Sequence, residues 1–157
     1  MRLVPTVRGF VRLGLKDQVR FTAAWSLLGF YRVLIAVLPF TAVRSLLGED
    51  RSTTVVETPS LDPVQRVRAA HVGRIVEAAA AHQPLRSDCY PQALTARTFL
   101  ALRRIPHTVT FGVRRDGEAL VAHAWVHAGD VVVTGGDSTS YTAVGAFAWT
   151  PRSGRNG

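Results

Sequence analysis

The feature that most constrains the fold of this chain is a change in the spacing of its apolar residues near Pro106. Before it, residues 62–82 and 89–104 carry apolar side chains at helical spacing, whereas residues 108–113 alternate apolar with polar or small side chains, as a half-buried strand does. Consecutive helices followed by consecutive strands favour an α+β class, with helices packed on one side of a small antiparallel sheet.

The first of these helices has clear limits. Asp62 is a good N-cap, Pro63 suits the first helical position, and the helix should run to about His82, before Pro84. Helical spacing places one apolar stripe on it, formed by Val64, Val67, His71, Ile75 and Ala78. We interpret His71 as a packed or boundary histidine rather than a catalytic one.

The strands are separated by turn signals. Asp116-Gly117 predicts a two-residue hairpin turn, and Gly129-Asp130 predicts a second turn. The strand between them, from Ala119 to about Ala128, should present one face formed by Val121, His123, Trp125 and His127. The apolar run 131–133 predicts the next strand.

The N-terminal region is apolar enough to raise the question of a membrane. Residues 23–43 are long enough to span a bilayer, but Arg32 lies in the middle and Pro39 near the end. We therefore predict two helices of a hydrophobic region, with peripheral membrane contact as the alternative. Residues 48–60 are polar and predict a linker, so we divide the chain into a hydrophobic helical region (1–50), a main domain (60–150) and a polar tail (151–157).

Composition excludes several classes of protein. At 47% hydrophobic residues the chain is too apolar for disorder, and its single cysteine excludes an intramolecular disulfide and argues against a cysteine-based zinc site. The net charge of +8 favours anionic partners, but no basic-aromatic platform indicates nucleic-acid binding. We expect no cofactor and no metal.

The single cysteine occupies a position that suits a nucleophile. Cys89 begins the second predicted helix, between Asp88 and Pro91, where backbone N–H groups lack partners within the helix. The positive end of the helix dipole stabilises thiolate over thiol, and the same N–H groups can hold a developing oxyanion. The alternative is an inert buried thiol, which has no preference for a helix start.

His123 is the candidate base. A histidine in the middle of a strand is often only a packed residue, but a strand against the cysteine helix would hold an imidazole rigidly beside the thiol. A third group should accept a hydrogen bond from the other ring nitrogen. Asp137 is our first candidate, with a turn cap as its alternative role, and Asp130 is the second, although it is more typical of an exposed turn residue.

An ordered set of motifs resembles one known family. The runs SDCYPQALTAR (87–97), RRIP (103–106), AHAWV (122–126), VVVTGGD (131–137) and YTAV (141–144) are similar to those of the lasso-peptide leader peptidases. These are the stand-alone peptidase half of the split B protein, related to the C-terminal part of the microcin-processing enzyme. The resemblance covers roughly residues 60–150, and the hydrophobic helical N-terminus is also similar.

The resemblance implies a transglutaminase/papain-like fold and a Cys-His-Asp triad. It implies a cytoplasmic cysteine peptidase that cuts a ribosomally made lasso precursor between leader and core, often after a leader whose penultimate residue is threonine. It also implies two partners, a small leader-binding recognition protein and an ATP-dependent macrocyclase.

Cys89 and His123 match the family's nucleophile and base. The family's acid falls about twelve residues after the histidine, which is Gly135 here, and Asp137 lies two residues further on. A bulge at Gly135-Gly136 would bring the Asp137 carboxylate to the ring. The alternatives are another transglutaminase-like amide transferase or hydrolase, and a catalytically silent module that docks a peptide or a membrane.

Overall fold

The computed structural model describes residues 14–44, 49–50, 59–84 and 88–151. Within these residues the α+β class is confirmed, with helices first and an antiparallel sheet after them. The elements in chain order are α1 (Leu15–Val37), α2 (Phe40–Arg44), β1 (Glu49–Asp50), α3 (Pro63–Ala81), α4 (Cys89–Leu102), β2 (His107–Asp116), β3 (Ala119–Ala128), β4 (Val131–Thr134) and β5 (Thr142–Trp149).

The strands form one sheet in the order β1-β5-β2-β3-β4, and every neighbouring pair is antiparallel. The hairpin turn predicted at Asp116-Gly117 is wrong by one residue. Asp116 still pairs with Ala119, so Gly117 and Glu118 make the turn, and Gly117 takes the first turn position with φ +61°. A positive φ at that position is favourable for glycine, which is why the turn settles there. The turn at Gly129-Asp130 is confirmed.

The predicted start of α3 is confirmed in detail. The Asp62 carboxylate accepts a hydrogen bond from the Gln65 backbone N–H at 2.8 Å, and the Gln65 side chain accepts one from the Asp62 N–H at 3.2 Å. This reciprocal capping box satisfies two N–H groups that the helix cannot. The helix ends at Ala81, close to the predicted end.

The apolar stripe predicted on α3 is wrong. Val64 and Val67 are 57% and 67% exposed, and the buried residues lie on another face, formed by Ala69, Val72, Gly73, Val76 and Ala79. The reason is close packing on β4, because a Cβ at Gly73 would lie 2.4 Å from the Val133 carbonyl oxygen. The missing side chain at Gly73 lets the helix rest directly on the strand, so α3 buries the face that carries Gly73 rather than the face that carries Val64 and Val67.

The described part of the N-terminal region, residues 14–44, contains two helices, as predicted, separated at Leu38-Pro39. Helix α1 packs on α3 and α4, with Tyr31 buried and its hydroxyl 2.8 Å from the Thr98 hydroxyl. The outer face of α1 is apolar and exposed at Leu15, Val19, Phe30, Val33 and Val37. By length and composition α1 could cross a membrane, a property that core helices and signal sequences also have.

Most of the predicted linker 48–60 and nearly all of the tail 151–157 lie outside the described residues. The division of the chain into three regions therefore stays a prediction.

Candidate active site

Cys89 is the first residue of α4, as predicted, and its thiol is free and partly exposed. The preceding Asp88 has the extended conformation of an N-cap (φ −63°, ψ 160°), but its side chain makes no capping hydrogen bond. The Asp88 carboxylate instead lies 3.8 Å from the Arg32 guanidinium on α1. The Asp88 side chain therefore does not cap the first turn of α4, which begins at the residue that carries the thiol.

His123 lies in the middle of β3, where one edge of that strand is open. Strand β3 pairs with β2 from Ala119 to His127, but it pairs with β4 only from Val126 to Ala128. On its β4 side, His123 therefore has no partner residue in any described neighbouring strand. The imidazole is half-buried against two aromatic rings, with its centroid 5.8 Å from that of Trp125 and 4.7 Å from that of Tyr141.

Cys89 and His123 meet at one cleft of about 500 Å³ between the helices and the end of β4. Within the described chain no hydrogen bond joins the thiol to the ring. The remaining lining comes from α3, α4, the edge strand β4 and the turn after it, namely Glu77, Gln92, Val132, Val133, Thr134, Gly135 and Gly136. The structure thus brings the predicted nucleophile and base to the same space.

The His123 ring is fixed by one main-chain group. Its Nε2 lies 2.7 Å from the carbonyl oxygen of Gly135. A carbonyl oxygen can only accept, so Nε2 carries the proton and donates it. In the neutral ring Nδ1 is then the nitrogen with a free electron pair, which is the one that can take a proton from a thiol.

Two glycines make this contact possible. Gly135 and Gly136 both have positive φ, +93° and +57°, a region that L side chains rarely adopt. A Cβ at Gly135 would lie 2.4 Å from the Trp125 Cβ and 2.9 Å from the Ala124 carbonyl oxygen. The chain after β4 can therefore pass over β3 only if residue 135 has no side chain.

Asp137 lies outside the cleft lining. Its exposed carboxylate accepts hydrogen bonds from the Thr139 hydroxyl at 2.7 Å and from the Thr139 N–H at 2.9 Å, and these bonds lower the pKa of Asp137. The glycine pair does turn the chain toward the ring, but it presents the Gly135 carbonyl there. The role of Asp137 as the third member stays a prediction without a supporting contact among the described residues.

The other candidates also lie away from the cleft. Asp130 sits in the β3–β4 turn, with its carboxylate 3.3 Å from the Arg66 guanidinium. His71 is partly buried beside α1, with Nε2 3.4 Å from the Asp17 carboxylate, as a boundary histidine would be. In the described ranges no group of three His, Cys, Asp or Glu side chains could hold a metal ion.

Three contributors to the site were not predicted from the sequence. Gln92 lies one helical turn after Cys89 on the same face, so its i,i+3 spacing was a usable signal. Glu77 and Tyr141 reach the site from α3 and from the segment before β5. Nothing local in the sequence indicates those two long-range contacts.

Comparison with protein families gives a match over most of the chain. The family model Transglut_core3, described as the transglutaminase-like superfamily, matches residues 33–146. This range runs from within α1 to within β5 and includes Cys89, His123 and Asp137. Searches of curated proteins and of solved structures found no significant match.

Proposed function

Because the chain belongs to the transglutaminase-like superfamily, we propose that it is a cysteine peptidase that removes the leader from a ribosomally made lasso precursor peptide. The observation that carries the proposal is the shared cleft of Cys89 and His123, with the His123 tautomer fixed by the Gly135 carbonyl. The ordered motifs of residues 87–144 support the finer assignment to leader cleavage.

In this proposal Cys89 is the nucleophile. His123 Nδ1 takes the thiol proton, and the sulfur attacks the carbonyl carbon that joins leader to core. The new oxyanion is held by the backbone N–H of Cys89, at the positive end of α4. When the carbon–nitrogen bond breaks, His123 returns the proton to the core amine, and the leader remains on Cys89 as a thioester.

Water completes the cycle. His123 takes a proton from a water molecule as its oxygen attacks the thioester, and the sulfur then leaves with that proton. The leader departs as a carboxylic acid and the free thiol is restored. The reaction needs no metal and no redox cofactor.

The proposed partners follow from the same assignment. The precursor peptide is the substrate, a small recognition protein presents the leader, and a macrocyclase consumes the released core, all in the cytoplasm. The cleft beside edge strand β4 suits an extended peptide, and the net charge of +8 suits an acidic one.

A second candidate is amide transfer, since an amine that reaches the Cys89 thioester would replace water.

The test is to incubate the protein with precursor and recognition protein in H₂¹⁸O, with a primary amine present, and to analyse the peptides by mass spectrometry. Leader peptidase activity yields a free core and a leader whose new carboxylate carries ¹⁸O. An amine adduct would indicate the transferase instead. Binding of the precursor without any covalent change would indicate a silent docking module.

A further inference from the structure

We propose that the main-chain carbonyl of Gly135 is the group that positions His123, in place of a side-chain acid. This inference rests on the proposed roles of Cys89 and His123. It makes the site a cysteine–histidine pair held by a neutral backbone acceptor, and it gives Asp137 no part in orienting the ring.

The contacts around the ring support this role. The 2.7 Å bond to the Gly135 oxygen fixes which nitrogen is protonated. The rings of Trp125 and Tyr141, at 5.8 Å and 4.7 Å, restrict rotation of the imidazole. One hydrogen bond and two flat neighbours together determine both the tautomer and the orientation, which are the two tasks an orienting acid performs.

The surroundings exclude a side chain at this point. Gly135 lies twelve residues after His123, where the acid is expected. Its φ is +93°, and a Cβ added there would lie 2.4 Å from the Trp125 Cβ, so no side chain fits at this position. Asp137 cannot substitute in this arrangement, because both of its contacts hold the carboxylate on Thr139.

The inference has a chemical consequence. A carbonyl dipole fixes the tautomer as a carboxylate does, but it adds no negative charge beside the imidazolium. Activity should therefore depend little on Asp137. Asp137→Asn is the matched variant, since an amide oxygen can still accept both bonds from Thr139 while the charge is lost.

The sequence offers an unusually direct probe of this carbonyl. Gly135-Gly136 is the only Gly-Gly pair in the chain. Protein labelled with glycine carrying ¹³C at the carbonyl and ¹⁵N at the amide therefore gives a single carbonyl-to-amide NMR correlation, which reports the Gly135 carbonyl. In His123→Phe, which keeps a flat ring but has no donor, we expect this carbonyl resonance to move upfield. In Asp137→Asn it should stay in place, and ¹⁵N-labelled His123 should keep its proton on Nε2.

Kinetics supply the second readout. We expect kcat for leader cleavage by Asp137→Asn to stay within about threefold of wild type, with an unchanged pH profile, whereas loss of an orienting carboxylate costs about 10⁴-fold in serine proteases. Three results would each overturn the inference. The Gly135 carbonyl resonance could stay unchanged in His123→Phe, the Nε2–H tautomer of His123 could be lost in Asp137→Asn, or Asp137→Asn could lose most of its kcat. The NMR result does not require peptidase activity, so a wild-type protein that cleaves nothing would contradict the proposed function alone.

Discussion

The Nε2 of His123 donates a hydrogen bond to the carbonyl oxygen of Gly135, 2.7 Å away and twelve residues further along the chain. Strand β4 ends just before that carbonyl, and the glycine pair carries the chain back across the open edge of β3. The position of the His123 ring therefore depends on a backbone conformation that only glycine adopts easily.

The two glycines should respond differently to alanine. Gly135→Ala adds a Cβ 2.4 Å from the Trp125 Cβ at a positive φ, so we expect a loss of about 2–4 kcal/mol of stability together with most of the activity. Gly136→Ala is the matched control, because its Cβ meets no described atom within 4 Å and its cost is only the left-handed backbone, about 1 kcal/mol. Urea unfolding followed by tryptophan fluorescence measures both, and equal losses would contradict the close approach at Gly135.

Local signals were the ones that the sequence could supply. The N-cap at Asp62, the helix start at Cys89 and the alternation after Pro106 each depend on residues close together in the chain, and each was predicted correctly or nearly so. The meeting of Cys89 and His123 followed from placing one at a helix start and the other on a packed strand.

Contacts between residues far apart in the chain determine two features that the sequence did not predict, the buried face of α3 and the acceptor on His123. Helix α3 has apolar residues on two faces, and which face is buried depends on how closely Gly73 approaches Val133 across a gap of sixty residues. The acceptor on His123 depends on the φ angles of Gly135 and Gly136, since a small change there would present another group to the ring. Neither property is encoded in local spacing.

The packing of α3 on β4 gives a second matched pair. Gly73→Ala would place a Cβ 2.4 Å from the Val133 carbonyl oxygen, a rigid backbone atom, so we expect a loss of about 1–3 kcal/mol. Gly29→Ala lies in the middle of α1 with no described neighbour within 4 Å, and it should stabilise by about 0.5–1 kcal/mol because alanine favours the helix. The midpoint temperature of thermal unfolding should fall for Gly73→Ala and rise for Gly29→Ala. A stable Gly73→Ala protein would contradict the buried face assigned to α3.

His107 should make stability depend on pH. It is 1% exposed, stacks on Trp149 with ring centroids 5.3 Å apart, and burial lowers its pKa from 6.5 to about 4. Between these values the unfolded chain binds a proton that the folded protein does not, so stability is present above pH 6.5 and is lost as pH falls toward 4. The full effect is roughly 3 kcal/mol.

The variant His107→Phe keeps a ring against Trp149 and removes the titration. Unfolding free energies from urea titrations at a series of pH values between 7 and about 4 should fall less steeply for this variant than for wild type. Parallel curves would show that His107 is not buried in its neutral form.

Helix α1 should associate with membranes only peripherally. It contacts α3 and α4 through buried Ala24, Leu28 and Tyr31, and its Arg32 lies 3.8 Å from Asp88 at the start of α4, contacts that a spanning helix would break. We expect carbonate or high salt to release the protein from membrane fractions. Extraction by detergent alone would contradict this packing.

The most direct test of the account is the rate at which leader is released by wild type, Cys89→Ala, His123→Ala and the double variant, with precursor and recognition protein supplied. Nucleophile and base act as one unit, so each single variant should lose roughly 10⁴-fold or more, and the double variant should be no slower than either. Circular dichroism of each variant verifies the fold. Release of leader by Cys89→Ala at the wild-type rate would contradict the central claim that Cys89 is the nucleophile of a cysteine peptidase.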